Sequence, residues 1–191
     1  MSAPADSSGD PRDELVEHIP ALRAFAISLT RNVSAADDLV QDTIVKAWSN
    51  IEKFQHGTNF RAWLFTILRN TFFSDRRKRK REVPDPEGIH AGSLCEAPAH
   101  DGRLAFAEFR VAFDKLSDEH REVLVLVGAM GFSYEEAAET MHVAVGTVKS
   151  RANRARARLA ELMGMAPGES VLADADGITM AVLGKSRTHA A

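Results

Sequence analysis

One cysteine, Cys95, stands in 191 residues, so the chain can form no disulfide within itself and no cysteine-rich zinc site, in keeping with a reducing compartment. Long apolar runs are missing too: the stretch VLVLVGAM at 123–130 is far short of the roughly 20 residues that cross a bilayer. The first residues, MSAPADSSGDPRDE, are polar and acidic and lack the basic and apolar parts of a secretory signal. These absences read as a cytoplasmic protein with no membrane partner. Seven histidines are scattered with no pair at metal-ligand spacing, and neither a metal nor another cofactor is expected. No glycine-rich phosphate cradle, nucleophile–base pairing or carboxylate dyad stands out, so nothing in the sequence argues for an enzyme.

An excess of positive charge is also missing from the whole, whose net charge is -3. Along the chain the balance is uneven. Residues 61–81 carry eight basic and one acidic side chain (+7), and residues 141–163 carry five and one (+4), within an otherwise acidic chain. Two basic islands on a negative body suit docking to an anion at two defined places, not general adhesion to polyanions.

The expected fold class is all-α, with two small helical domains joined by a flexible linker. The stretch EVPDPEGIHAGSLCEAPAHDG at 82–102 holds three prolines and three glycines without apolar periodicity and reads as that linker. It separates a unit at 12–81 from one at 103–163. Residues 1–11 read as disordered, and the tail from 164 to 191 has scattered apolar residues with no clear period.

In the first unit Ser34 is positioned to cap a helix, with Asp37 three residues on closing an acidic variant of the capping box. Leu39, Thr43, Ile44, Ala47, Trp48 and Ile51 then recur at helical spacing and predict a buried stripe. The opposite face holds Asp38, Gln41, Asp42 and an apolar Val45. After the loop FQHGTN comes a helix over 59–81, in which Phe60, Trp63, Leu64, Phe65, Ile67, Leu68, Phe72 and Phe73 are too many apolar residues for one stripe. Some of them must face a second helix, a partner or solvent.

In the second unit Phe106, Phe109, Phe113 and Leu116 mark one amphipathic helix, and Val123, Leu124, Leu126 and Val127 a second that begins near Ser117. Gly128 and Gly131 allow a turn. Ser133 with Glu136 is a capping box, and Ala137, Ala138 and Met141 offer small or pliable surface to a following helix. At 100° per residue, Val145, Val148, Ala152, Ala155, Leu159 and Leu162 share one arc, while Thr147, Ser150, Arg151, Arg154 and Arg158 share another. Lys149 and Arg156 sit on the far flank. A uniformly solvated helix has no need of that separation. A helix in a DNA major groove does, with a polar row at base edges and flanking cations on phosphates.

The stretch LSDEHREVLVLVGAMGFSYEEAAETMHVAVGTVKSRANRARARL resembles region 4, the minus-35 reader, of the extracytoplasmic-function group of sigma-70 factors. DDLVQDTIVKAW resembles region 2.2, and NFRAWLFTILRNTFFSDRRKRKR resembles regions 2.3 and 2.4. The wording at 60–73 and GFSYEEAAE at 131–139 resembles the alphaproteobacterial general-stress-response branch. The resemblance departs at His142, where a glycine is common, and at Ala144, where a serine often caps the reading helix.

The resemblance implies a subunit that binds core RNA polymerase and directs initiation at promoter DNA of one class, monomeric when free of polymerase. It implies core-polymerase contacts at Asp38, Leu39, Gln41, Asp42, Val45, Lys46 and Trp48, although Leu39 and Trp48 serve equally well as core. It implies minus-10 contacts at Phe54, Gln55, His56, Gly57, Thr58, Asn59, Arg61, Trp63, Arg69, Asn70, Ser74, Arg76 and Arg77. Minus-35 contacts would fall at Thr147, Lys149, Ser150, Arg151, Arg154, Arg156 and Arg158. A small anti-sigma factor that holds the two domains together follows as a further partner. The linker's 21 residues reach at most about 70 Å, comparable to two DNA turns of about 34 Å. Two alternatives stand beside this reading: a sigma-like decoy that binds an anti-sigma factor, and a helix-turn-helix repressor.

Overall fold

The computed structural model describes residues 11–55, 57–82 and 102–165. Helices α1 (Pro11–Thr30), α2 (Val33–Ser49) and α3 (Phe60–Glu82) make the N-terminal unit. Helices α4 (Gly102–Asp114), α5 (Asp118–Leu124), α6 (Tyr134–Met141) and α7 (Val145–Leu162) make the C-terminal one. No strand occurs among the described residues, so the all-α expectation holds. The segments expected to be a disordered N-terminus, a linker and a tail lie almost wholly outside the described residues.

Helix α1 was not foreseen. Pro20 lies inside it, a residue that ordinarily breaks a helix interior by removing a donor and crowding the preceding turn. Leu15, Leu22, Phe25, Ala26 and Leu29 are nonetheless buried along one side, and this apolar face outweighs the proline. The helix ends at Arg31, in the left-handed region at φ 58. That turn delivers Asn32 as the cap of α2, its side-chain oxygen accepting from the Ala35 amide at 2.9 Å. Asn32, not Ser34, is therefore the cap. Asp37 closes no capping box. It accepts from Arg23 Nε at 2.6 Å and ties α2 to α1, and this bond holds its carboxyl below the usual range.

Leu39, Thr43, Ala47 and Ile51 are buried as the stripe predicts, but Trp48 at its edge is 54% exposed. The chain continues through a 3-10 turn, Ile51–Lys53, and the loop before α3. Asn59 caps α3 by accepting from the Ala62 amide at 2.9 Å.

The excess of apolar residues on α3 is answered by neighbours on two sides. Leu64, Phe65 and Leu68 are fully buried. Phe65 stacks on Phe25 of α1 at 5.2 Å between centroids and meets Phe132 of the C-terminal unit at 5.1 Å. The two units thus share one apolar core.

In the C-terminal unit Ser117 caps α5, accepting from the His120 amide. The chain then passes through a π-helical turn, Val125–Ala129. Gly128 lies within that turn, and the bend falls to Gly131 at φ 70, a conformation suited to glycine. Arg121 is fully buried. It pairs with Asp118 and donates to the carbonyls of Leu116 and Asp114 at 3.2 and 3.4 Å, pinning the corner between α4 and α5. Burial first, then the nearby Arg31 charge, brings its pKa down to about 10.

Candidate nucleic-acid interface

Helices α6 and α7 form the helix-turn-helix that their sequence predicts. The capping box is complete: the Glu136 amide donates to Ser133 Oγ at 3.1 Å and the Ser133 amide to Glu136 Oε2 at 2.8 Å. These bonds, backbone first, hold the Glu136 carboxyl below its ordinary range. His142 ends α6 in the left-handed conformation, φ 54 and ψ 48, where its amide closes on the Glu139 carbonyl at 3.2 Å. Histidine is among the non-glycine residues that tolerate this region, so the turn survives the loss of glycine.

Ala144 takes the cap position of α7 with extended φ and ψ but offers no side-chain bond. Ala144→Ser is expected to stabilise the chain by about 1 kcal/mol, read as a shifted denaturant midpoint at unchanged slope. A midpoint that does not move would mean the orphan amides of α7 are already satisfied.

Val148, Ala152 and Ala155 of α7 are buried in one cluster with Ala137, Ala138 and Met141 of α6 and Val123 of α5, whereas Leu159 is buried with Ala112 of α4 and Leu116. The polar arc faces outward. Arg154 is exposed and donates to Ser150 Oγ at 3.2 Å, Arg151 lies 3.9 Å from Glu119, and Arg158 pairs with Glu161 at 2.6 Å. Thr147 is half-buried at the start of the row. On the flank, both cations lean on one residue that sequence reasoning passed over, Tyr134. The Lys149 ammonium sits 5.7 Å from its ring centroid, and Arg156 Nη1 donates to its hydroxyl at 3.5 Å. Tyr134 is the first residue of α6, so it sets these cations at a fixed angle to the polar row of α7.

On α2, Asp38, Gln41, Asp42, Val45, Lys46 and Trp48 are exposed together, Val45 at 64%. An apolar side chain so exposed beside acids is what a partner helix would cover. Lys46 is steered toward α3 by its bond to Thr71 Oγ1 at 3.1 Å. Leu39 is the exception, buried at 6%. It packs beneath this surface and is not part of it.

The residues expected at the minus-10 element divide. Gln55, Gly57, Thr58 and Asn59 are exposed in the loop, with Gly57 at φ 86, whereas His56 lies outside the described residues. Phe54, expected to face DNA, is buried at 7%, edge-on to Phe60 at 5.0 Å and tilted against Trp63 at 5.5 Å. It anchors the loop from below. Trp63 is half-buried on the same aromatic group, and Asn70, Ser74, Arg76 and Arg77 are exposed along α3.

Three arginines of α3 reach the other unit. Arg61 donates to the Met130 carbonyl at 2.6 Å and lies 4.8 Å from the Phe132 ring centroid; burial lowers its pKa, with Glu136 opposing. Arg69 pairs with Glu122 and lies 4.8 Å from the Phe73 centroid. Arg76 pairs with Asp118. Glu122 is fully buried, and burial pushes its carboxyl up against the opposing pull of Arg69. None of these partners was legible in the sequence.

Residues 15–82 match the family Sigma-70 region 2, and residues 106–159 match Sigma-70, region 4. The chain is 56% identical over 152 residues to the ECF RNA polymerase sigma factor EcfG of Rhodopseudomonas palustris, an alignment covering 80% of this chain and 84% of that one. Among solved structures it is similar to the sigma factor RpoE of Bartonella quintana in complex with the anti-sigma factor NepR, at 50% identity and a TM-score of 0.71, covering 82% of this chain and 98% of that one. It is also similar to CnrH in complex with the cytosolic domain of CnrY, at 30% identity and a TM-score of 0.57, covering 81% and 87%.

Proposed function

As the chain belongs to the sigma-70 family, in its extracytoplasmic-function group, we propose a division of labour between its two units in directing RNA polymerase to promoters. The N-terminal unit, 12–81, binds core polymerase through the exposed face of α2 and the minus-10 element through the loop before α3 and the cationic strip of α3. The C-terminal unit, 103–163, reads the minus-35 element with Thr147, Ser150, Arg151, Arg154 and Arg158, while Lys149 and Arg156 hold phosphates. The chain carries no catalytic role. It works in the cytoplasm beside polymerase and DNA. An anti-sigma factor of the NepR kind is its regulatory partner, a reading supported by the 50% identity to a sigma factor solved with NepR.

The observation that carries the reading is the outward row on α7, set by a fully formed capping box on α6 and a buried arc behind it. A polar row of arginine and hydroxyl groups on a helix backed by a supporting helix is built to enter a major groove. The decoy and repressor alternatives need less than is present. A decoy has no use for this row, and a repressor has none for the exposed Val45 face of α2.

Initiation in vitro with purified core polymerase against a promoter library tests the whole. A defined start site is expected with this chain and none with core alone. Val45→Asp adds a charge where an apolar contact is expected. It is predicted to weaken core binding by about 1–3 kcal/mol while leaving duplex binding by α7 unchanged, as read by polymerase pull-down and by band shift. Equal core binding by the variant would remove α2 from the polymerase surface.

A further inference from the structure

Between the end of α1, the later turns of α3 and the start of α5 lies a cleft of about 440 Å3, and Arg31, Arg76 and Arg77 line it. Its size falls within the range of small-ligand sites, about 300–1,000 Å3. Like charges so gathered repel unless acids neutralise them, and the acids here fall short. Asp118 is shared among three guanidiniums: Arg76 and Arg121 pair with it, and Arg31 lies 3.7 Å away. Glu119, also on the wall, is 61% exposed and lies 3.9 Å from Arg151 of α7. Arg77 is exposed and makes no ion pair among the described residues. The surplus is felt beneath the cleft, where burial first and then the charge of Arg31, with Arg76 adding to it, brings the pKa of Arg121 down to about 10.

Arg31 is the most telling of these residues. Its backbone is left-handed at φ 58, a conformation that suits glycine or asparagine better than arginine. Its side chain recovers little within the chain, since 3.7 Å to Asp118 is beyond hydrogen-bond length. A residue held in an unfavourable conformation, with donors to spare and facing a cationic cleft, is the kind of outlier found at ligand sites.

We propose that this cleft binds the diphosphate group of a small phosphorylated ligand, free or carried by a nucleoside. Guanidinium forks meet phosphoryl oxygens in pairs, and a diphosphate carries oxygens enough for Arg31, Arg76 and Arg77 together. Asp118 is only 13% exposed, so it orients the guanidiniums from behind and does not meet the ligand. Ser117 Oγ accepts from the His120 amide at 3.3 Å, which leaves its hydroxyl hydrogen to donate. Phe73, half-buried on the cleft wall, offers a ring to a base where a nucleoside is attached. A bound diphosphate takes up Arg76 and Arg77 and is expected to weaken capture of single-stranded DNA by α3. That last effect alone rests on reading these two residues as minus-10 contacts.

Calorimetric titration of the full chain with GDP, ADP, pyrophosphate and orthophosphate tests the cleft. The three diphosphates are expected to saturate a single site, and orthophosphate to bind about tenfold more weakly or less. Arg31→Asn keeps a residue that tolerates the left-handed turn and is expected to weaken diphosphate binding about tenfold. Lys53→Gln removes one positive charge at an exposed position outside the cleft and is expected to leave binding unchanged. Arg77→Gln, at an exposed side chain, gives the same loss should Arg31→Asn fail to fold. GDP or ADP binding more tightly than pyrophosphate, with the advantage lost in Phe73→Leu, supports a nucleotide. Equal affinities that Phe73→Leu leaves alone support free pyrophosphate. Absence of saturable binding, or binding that falls as much in Lys53→Gln as in the arginine variants, overturns the site. Single-stranded DNA that stays bound at saturating diphosphate would instead remove Arg76 and Arg77 from DNA reading and leave the diphosphate site standing.

Discussion

Phe65→Ala is expected to lower the unfolding free energy by about 3–5 kcal/mol, the range for deleting a large aromatic side chain from a packed core. The ring is wholly buried. It is also placed where two kinds of contact meet, stacked on Phe25 at 5.2 Å and tilted against Phe132 at 5.1 Å. The first contact belongs to the fold of the N-terminal unit and the second to the junction with the C-terminal unit. Denaturant unfolding of the single and double variants separates them. Phe65→Ala combined with Phe132→Ala is expected to cost less than the sum of the two, by a coupling of about 0.5–1.5 kcal/mol. A coupling near zero would mean that the two rings do not pack against each other across the junction.

The same residue marks where sequence reading stops. The period of 3.6 makes the α7 arcs visible from sequence alone, because every residue that defines them lies within 18 positions in one helix. Capping is equally local, and Ser133 with Glu136 is readable for that reason. The excess of aromatics on α3 is visible as a demand for extra neighbours, but the neighbours are not. Arg69 and Glu122 are 53 residues apart, and Asn59 and Glu136 are 77 apart. No local pattern encodes such a pairing.

Other misreadings were local competitions decided by context. Asn32 and Ser34 are both good caps, and the left-handed turn at Arg31 selects Asn32. At Pro20 propensity argues against a helix that burial nevertheless enforces across α1. Phe54 begins the loop that the resemblance places at the minus-10 element, yet it is buried against Phe60 and Trp63. Trp48 shares its arc with buried residues, but near the C-terminal end of α2 no neighbouring helix covers it fully, leaving it 54% exposed.

Replacing Arg151 and Arg154 together by alanine is expected to abolish promoter selection at the minus-35 element. Arg154→Ala alone is predicted to cost about 1–3 kcal/mol, the worth of a good bidentate base contact. Arg154 is exposed and held by Ser150 at 3.2 Å, so the guanidinium is already oriented and loses little freedom on binding. Arg151 starts from a contact of 3.9 Å to Glu119, weak enough to exchange for DNA.

Since the two arginines are three residues apart on one face, their effects are expected to couple and not to add. The comparison with Lys149→Ala and Arg156→Ala is the informative one. The cations that Tyr134 holds at the flank are proposed to serve phosphates. Their loss is expected to weaken binding to every duplex alike and to reduce the salt dependence by about one counterion each. Loss of Arg154 is instead expected to flatten the preference among duplexes with differing minus-35 sequence. Binding titrations of the full chain on a set of such duplexes, at two salt concentrations, distinguish the patterns. Promoter preference that survives the double replacement would move base reading away from this row of α7.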